Sequence, residues 1–315
     1  MGIAHWDDIE RHHRAKGEMD ATWQRLGRAA GTHGVGVNRV RVAPGKLPTP
    51  PHSHGASEEI YFVLEGSGLA WQDEHVHEVR PGDCVIQRAN ELEHTFVAGP
   101  DGLDYLVFGT IHPTEFGWLP RSGALRFGWP WAEGRVDDPW DIEAEAPPLA
   151  YGEPAERPPN IINIDEVDHG TWGSATTAPL ATAARSDLAG FHWEQLAPGS
   201  RGSVPHCHSE EEEIFVILEG DCTLELWPSP VSQARGVAER EDIPIRAGHV
   251  VARPPGTRIG HSFLAGPNGV TMLIYGTRRP NDMCWYPRSS KIFWRGLGVI
   301  GRIESLEYAD GEPED

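Results

Sequence analysis

The stretch with the most chemistry is His206-Cys207-His208-Ser209-Glu210-Glu211-Glu212-Glu213, followed by the apolar run Ile214 to Leu218. Two histidines one residue apart suit a strand, because side chains at i and i+2 leave from the same face. Glu213 opens the next strand, which ends at the turn Glu219-Gly220-Asp221, and His261 follows the turn signal Pro254-Pro255-Gly256. Three imidazoles and one carboxylate are thus offered from three neighbouring strands. That donor set holds a divalent first-row metal and leaves positions open for water or substrate.

The arrangement occurs twice. His52-Ser53-His54 is followed by Glu58-Glu59, by the run Ile60 to Leu64, and by Gly66, Gly82 and His94. His52 to Glu59 maps onto His206 to Glu213 at one constant offset. His94 maps onto His261 at a larger one, because the second copy carries extra residues around Pro228 to Pro244. An internal repeat in which every candidate ligand recurs is poorly explained by chance. The candidate metal ligands are His206, His208, Glu213 and His261 in one copy and His52, His54, Glu59 and His94 in the other. Glu58 and Glu212 are expected to point to the opposite face, and Cys207, between two inward histidines, away from the metal.

The spacings Gly45…His52-x-His54-x4-Glu59-x6-Gly66 and Gly199…His206-x-His208-x4-Glu213-x6-Gly220 resemble the first motif of the cupin superfamily. Gly248-x5-Pro254-x-Gly256…His261 resembles the second. The chain is therefore similar to a bicupin, over about residues 38–110 and 192–277. Both glycine-to-histidine spacers, and the gap before each last histidine, are longer than the family's. The first copy has Arg88-Ala89-Asn90 where the family has Pro-x-Gly, and Asn tolerates the left-handed backbone that Gly normally supplies.

The resemblance implies a mainly β fold: two tandem double-stranded β-helix (jelly-roll) barrels, with a short helical N-terminal segment. It also implies one divalent metal ion per barrel, Fe, Mn, Zn or Ni. The function it favours is an Fe(II)-type oxygenase acting on a small metal-chelating substrate. The alternatives are a redox-neutral metal-dependent isomerase, lyase or decarboxylase, and a non-catalytic small-molecule-binding or storage bicupin.

The rest of the chain must position these residues. Residues 1–35 are expected to form a helix or arm, with weak helical periodicity over Ile9 to Leu26. The first barrel with its extension is placed at 36–132, an acidic Pro-rich linker at 133–160, the second barrel with its extension at 161–306, and an acidic tail at 307–315. Both runs, Ile60 to Leu64 and Ile214 to Leu218, are apolar at consecutive positions, so both faces should be buried. Tyr61 and Phe215 should lie beside the metal, with Phe96 and Phe263 as pocket walls. Tyr61 is a candidate catalytic hydroxyl. A second repeated segment runs from Gly109-Thr110 to Pro120-Arg121-Ser122 and from Gly276-Thr277 to Pro287-Arg288-Ser289. It reads as a structural cap, or as a carrier of Arg121 and Arg288 to a pocket mouth where they would hold an anion. The insertion Trp227 to Pro244 reads as a lid or as a tolerated surface loop. His75 and His77, with no downstream carboxylate, are expected at a solvated strand end, and His12 and His13 at the surface.

A formal net charge of -20 argues against nucleic acid or an anionic membrane as partner. The apolar runs are strand length, and the N-terminal residues lack a basic region followed by an apolar stretch, so neither a membrane span nor a signal peptide is expected. The four cysteines, Cys84, Cys207, Cys222 and Cys284, form no C-x-x-C pair, which fits a reduced, cytoplasmic setting. A small-molecule substrate is the expected partner, with exposed strand edges allowing a homodimer.

Overall fold

The computed structural model describes residues 2–127, 138–237, 239–304, 306 and 309–313. Two eight-stranded sheets dominate it. The first centres on the strands Glu59–Gln72 and His94–Thr110, and the second on Glu213–Pro228 and Ile259–Thr277. Each long antiparallel pair bends midway, where its register slips around Gly66 or Gly220. Such bulges let one strand pass from one wall of a barrel to the other. The glycines are required there: an added Cβ would stand 2.2 Å from the Gly102 carbonyl oxygen at Gly66 and 2.1 Å from that of Gly269 at Gly220. Both also have left-handed backbone, with φ of 80° and 75°.

The consecutive apolar positions divide between two cores. Tyr61 and Val63 face the interior of the first barrel, with Phe96 and Tyr105. Phe215 and Ile217 face the interior of the second, with Phe263 and Met272. Ile60, Phe62, Ile214 and Val216 point the other way, into a core that both barrels share. There Phe108 stacks on Tyr275 with ring centroids 5.5 Å apart and packs against Phe191 at 5.1 Å. The outward glutamates serve the same junction. Glu58 accepts hydrogen bonds from Ser186 Oγ and from the Asp187 N–H, and Glu212 accepts them from the His33 and Gly34 N–H groups.

Strands are also exchanged between the halves. Gly2–His5 pairs with His249–Arg253 of the second sheet, and Ile161–Asn163 pairs with Asp83–Gln87 of the first. Each leads into a one-turn 3₁₀ helix capped by a side chain that accepts from a backbone N–H, His5 in one case and Asn163 in the other. The stretch Ile9 to Leu26 is not helical. It forms the hairpin His12–Lys16 with Met19–Gln24, and the short helix of this segment is Leu26–Ala30. Tertiary context overrides the weak periodicity: Met19 and Ala21 alternate inward on a strand laid against Val35–Val42.

Within the acidic Pro-rich stretch, Pro139–Glu145 is a helix with Asp138 as its N-cap. Residues 128–137, which include the start of that stretch, lie outside the described residues, as do 307, 308, 314 and 315 of the acidic tail. Among the described residues no helix is long and apolar enough to cross a membrane.

If the shared core couples the barrels, Phe108→Ala should lower stability by roughly 3–5 kcal/mol. Urea unfolding followed by fluorescence should show one shifted transition; a shift confined to half of a biphasic curve would mean that the barrels unfold independently.

Candidate metal centres

Each set of four is delivered by the same pieces of backbone. In the first barrel, Ser53–His54 carries the second histidine, Glu59 opens one long strand and His94 opens the other. His52 bridges His94, as His206 bridges His261. The turn before the last histidine ties the site together. Asn90 has φ 56° and donates its N–H to the His54 carbonyl at 2.6 Å, while Gly256 has φ 69° and does the same to His208 at 2.8 Å. Asn90 therefore takes the conformation expected of it.

Glu59 Oε2 lies 3.9 Å from His52 Nε2, 3.4 Å from His54 Nε2 and 3.3 Å from His94 Nε2. One donor atom from each of these four residues falls within 4.8 Å of all the others. In the second barrel Glu213 Oε2 lies 3.9 Å from His206 Nε2, 3.2 Å from His208 Nε2 and 2.9 Å from His261 Nε2. There the donors fall into three overlapping trios, His206-Glu213-His261, His206-His208-Cys284 and His208-Glu211-Asp282.

The outer ring nitrogens are anchored. His52 Nδ1 meets the Pro50 carbonyl at 2.9 Å, His94 Nδ1 that of Leu92 at 3.1 Å, and His206 Nδ1 that of Val204 at 2.8 Å. Two carboxylates do the same for the middle histidines: Glu115 stands 3.5 Å from His54 Nδ1, and Asp282 stands 2.7 Å from His208 Nδ1. Such partners fix ring orientation and raise ligand basicity. Sequence reasoning missed both. The available signal was that the repeated segments carry an acidic residue at the same place, three residues before Trp118 and Trp285.

Those segments fold back as hairpins. Phe116–Leu119 pairs with Ser53–His54, and Met283–Tyr286 pairs with Cys207–His208. Trp118 is partly exposed. Arg121 pairs with Glu143 at 3.0 Å, and the Arg288 guanidinium sits 5.0 Å above the Trp227 ring. The insertion becomes a helix, Pro230–Ala234, at the far end of the Glu213–Pro228 hairpin. It lies near a cavity lined by Leu226, Val237, Arg240 and Ile259, and Leu226 is the strand partner of His261.

Tyr61 donates its hydroxyl hydrogen to Glu59. Phe96 lies 4.9 Å and Tyr105 5.5 Å from the Tyr61 ring, while Phe215 lies 4.7 Å from Phe263 and 5.3 Å from His261. His77 is buried rather than solvated and meets the Ala155 carbonyl, while His75 is exposed and meets that of Asp73, and His13 meets Asp20; among the described residues none of these histidines, nor Cys207, belongs to a donor cluster.

The residues fit a cation. Both ring nitrogens of His54 and His261, together with His208 Nε2 and Glu213 Oε2, are buried beside charged neighbours but make no well-formed hydrogen bond. Each such atom costs about 1–3 kcal/mol unless something satisfies it. The charges are also arranged for exchange. Burial opposes charge on His54 and His208, yet Glu59 and Glu213 outweigh it and push both imidazoles up to about 10. Burial then holds His52 and His261 down to about 3, with lone pairs free. Glu59 and Glu213 stay well below the usual carboxylate range despite burial, because the imidazoles surround them.

Residues 38–107 match the cupin domain family. Oxalate decarboxylase of Lactobacillus farciminis, in its formate complex, aligns over 90% of this chain and 88% of its own, with a TM-score of 0.59 and 12% identity. The chain has the bicupin fold, two tandem cupin-type barrels, the first of which carries the family match. Oxalate decarboxylase of Bacillus subtilis aligns over 87% of the bicupin and 75% of its own chain, with a TM-score of 0.58 and 14% identity. Dimethylsulfoniopropionate lyase DddW of Ruegeria pomeroyi is 42% identical over 55 residues, which is 18% of the bicupin and 35% of the lyase. The match thus spans about a third of that relative's length.

Plasma mass spectrometry should find two equivalents of divalent metal in this bicupin, and one in each of His52→Ala/His54→Ala and His206→Ala/His208→Ala. At pH 7 each binding event should release the proton held on His54 or His208, so affinity should rise with pH up to about 10. Calorimetry in buffers of different ionisation enthalpy counts those protons.

Proposed function

We propose that this bicupin is a metal-dependent enzyme that cleaves a bond in a small, metal-chelating carboxylate without consuming O₂, and that the reaction belongs to the first barrel. The observation that carries this reading is the convergence of all four donors, His52, His54, Glu59 and His94, with the Tyr61 hydroxyl against the ligand carboxylate. The second barrel has Phe215 in the place of Tyr61, so that position offers packing but no proton.

The relatives support a redox-neutral reaction over the Fe(II)-type oxygenase that the motifs alone favour. One is named a lyase, the others decarboxylases, and the Bacillus subtilis decarboxylase has Mn(II) centres. A bound divalent cation would supply Lewis-acid polarisation of the substrate's oxygens. The remaining work falls to the chain. His52, His54, Glu59 and His94 fix where a chelating carboxylate sits, which removes much of the entropy cost of orienting it. Phe96 and Tyr105 form an apolar, water-excluding wall beside Tyr61. Tyr61, buried and held by Glu59, is placed to give a proton to the reacting carbon or leaving group and to take another from water once product has left.

The test is anaerobic turnover of the metal-loaded protein against a panel of small carboxylates that includes oxalate and dimethylsulfoniopropionate. Product without O₂ supports the proposal; product formed only with stoichiometric O₂ uptake overturns it in favour of the oxygenase. No product from any carboxylate, with metal retained, points instead to a binding role. Tyr61→Phe should keep full metal content and lose about 10²-fold or more in kcat.

A further inference from the structure

The two donor sets differ at a position that neither cupin motif covers. His54 lies opposite Gly117 in the first barrel, whereas His208 lies opposite Cys284 in the second. Directly opposed residues on antiparallel strands project to the same side. Cys284 is buried, and its sulfur lies within 4.8 Å of a ring nitrogen of His206 and of one of His208. Tyr286, two residues on and on the same face, packs its ring 6.0 Å from that of His206. His208 Nε2 and Glu213 Oε2, buried beside this group and 3.2 Å apart, make no well-formed hydrogen bond.

We propose that the second barrel binds its metal through a thiolate, with Cys284 joining His206, His208 and Glu213, and that this site selects a thiophilic cation such as zinc. The first barrel, with Gly117 in the corresponding place, offers only nitrogen and oxygen. This rests on the metal-binding reading of the second set. A Cys-His₂-carboxylate set suits tetrahedral zinc, whereas three imidazoles and a carboxylate suit harder first-row cations as well. Binding forms a sulfur–metal bond and releases the thiol proton to solvent, since a coordinating thiol is deprotonated outright. His261 stands behind the site, 2.9 Å from Glu213, where it holds the carboxylate or completes a fifth position. The two barrels would then hold different metals in one chain.

Cobalt(II) reports sulfur ligation directly, through a near-ultraviolet thiolate-to-cobalt charge-transfer band. The probe is cobalt chloride added to metal-stripped full-length protein, using His52→Ala/His54→Ala to isolate the second site. One equivalent should bind and the band should saturate with it. Cys284→Ala should still bind cobalt but lose the band completely, and Cys207→Ala should keep it. Uptake without a band, or a band that survives in Cys284→Ala, overturns the thiolate assignment while leaving the metal site standing. No uptake of cobalt overturns both. X-ray absorption on the zinc-loaded His52→Ala/His54→Ala protein needs no change at Cys284. One sulfur scatterer at about 2.3 Å supports the proposal and its absence overturns it.

Discussion

The structure depends on one electrostatic constraint: a carboxylate and three imidazoles must be buried together with their donor atoms aimed at one another. Alone, each of these atoms would rather face water. Glu59 and Glu213 stay ionised inside the barrels only because a protonated imidazole sits at hydrogen-bond range. Several of these atoms, both ring nitrogens of His261 among them, make no well-formed hydrogen bond, at a cost of about 1–3 kcal/mol each. A flexible scaffold would relieve that cost by turning the rings outward. The barrels prevent this by anchoring each middle histidine to a carboxylate on a returning hairpin and others to backbone carbonyls. The apolar cores offset the strain, and a cation is the group that removes it.

The cores in turn explain why the barrels come as a pair. Each central strand is apolar on both faces, so a single barrel would leave Ile60 and Phe62, or Ile214 and Val216, facing water. Joining the two sheets buries these residues and brings Phe108 onto Tyr275. The exchange of Gly2–His5 and Ile161–Asn163 extends each sheet with a strand from the other half. Glu58 and Glu212, adjacent to the ligand glutamates but on the outer face, fasten backbone of the opposite half. The residue that orients a candidate ligand strand is therefore next in sequence to the candidate ligand, and the shared interface stabilises the position of both sites.

Much of this is legible in the sequence because it is periodic. Ligand spacing and two-faced strands follow from the alternation of side chains along a strand, and duplication tests each assignment against its copy. What escaped has no local period. Glu115 and Asp282 reach the histidines only after a hairpin turns back, and an acidic residue in a Pro-rich loop looks like any solvated one. The pairing of Gly2–His5 with the far barrel spans most of the chain, so nothing near the N-terminus announces it. Ile9 to Leu26 misleads for the opposite reason: its few apolar residues fit a weak helical period, while their burial is decided by the sheet on which they lie.

The second copy matches the cupin motifs better, yet the first copy's four donors all converge. Completeness of a motif and convergence of donors are separate properties. Pro-x-Gly serves the site through one backbone hydrogen bond, from the turn's left-handed residue to the carbonyl of the middle histidine. Asn90 makes that bond as Gly256 does. Left-handed backbone costs a typical L-residue about 1–2 kcal/mol, and less for Asn, so the substitution is tolerated without moving His54. In the second barrel the turn is intact, but Cys284 supplies a further donor beside His206 and His208, and the donors are divided among three trios. Divergence between the copies has therefore acted less on the turns that build the site than on the side chains around it. Tyr61 against Phe215, and Gly117 against Cys284, are the differences that would make one duplicated metal site reactive and the other selective.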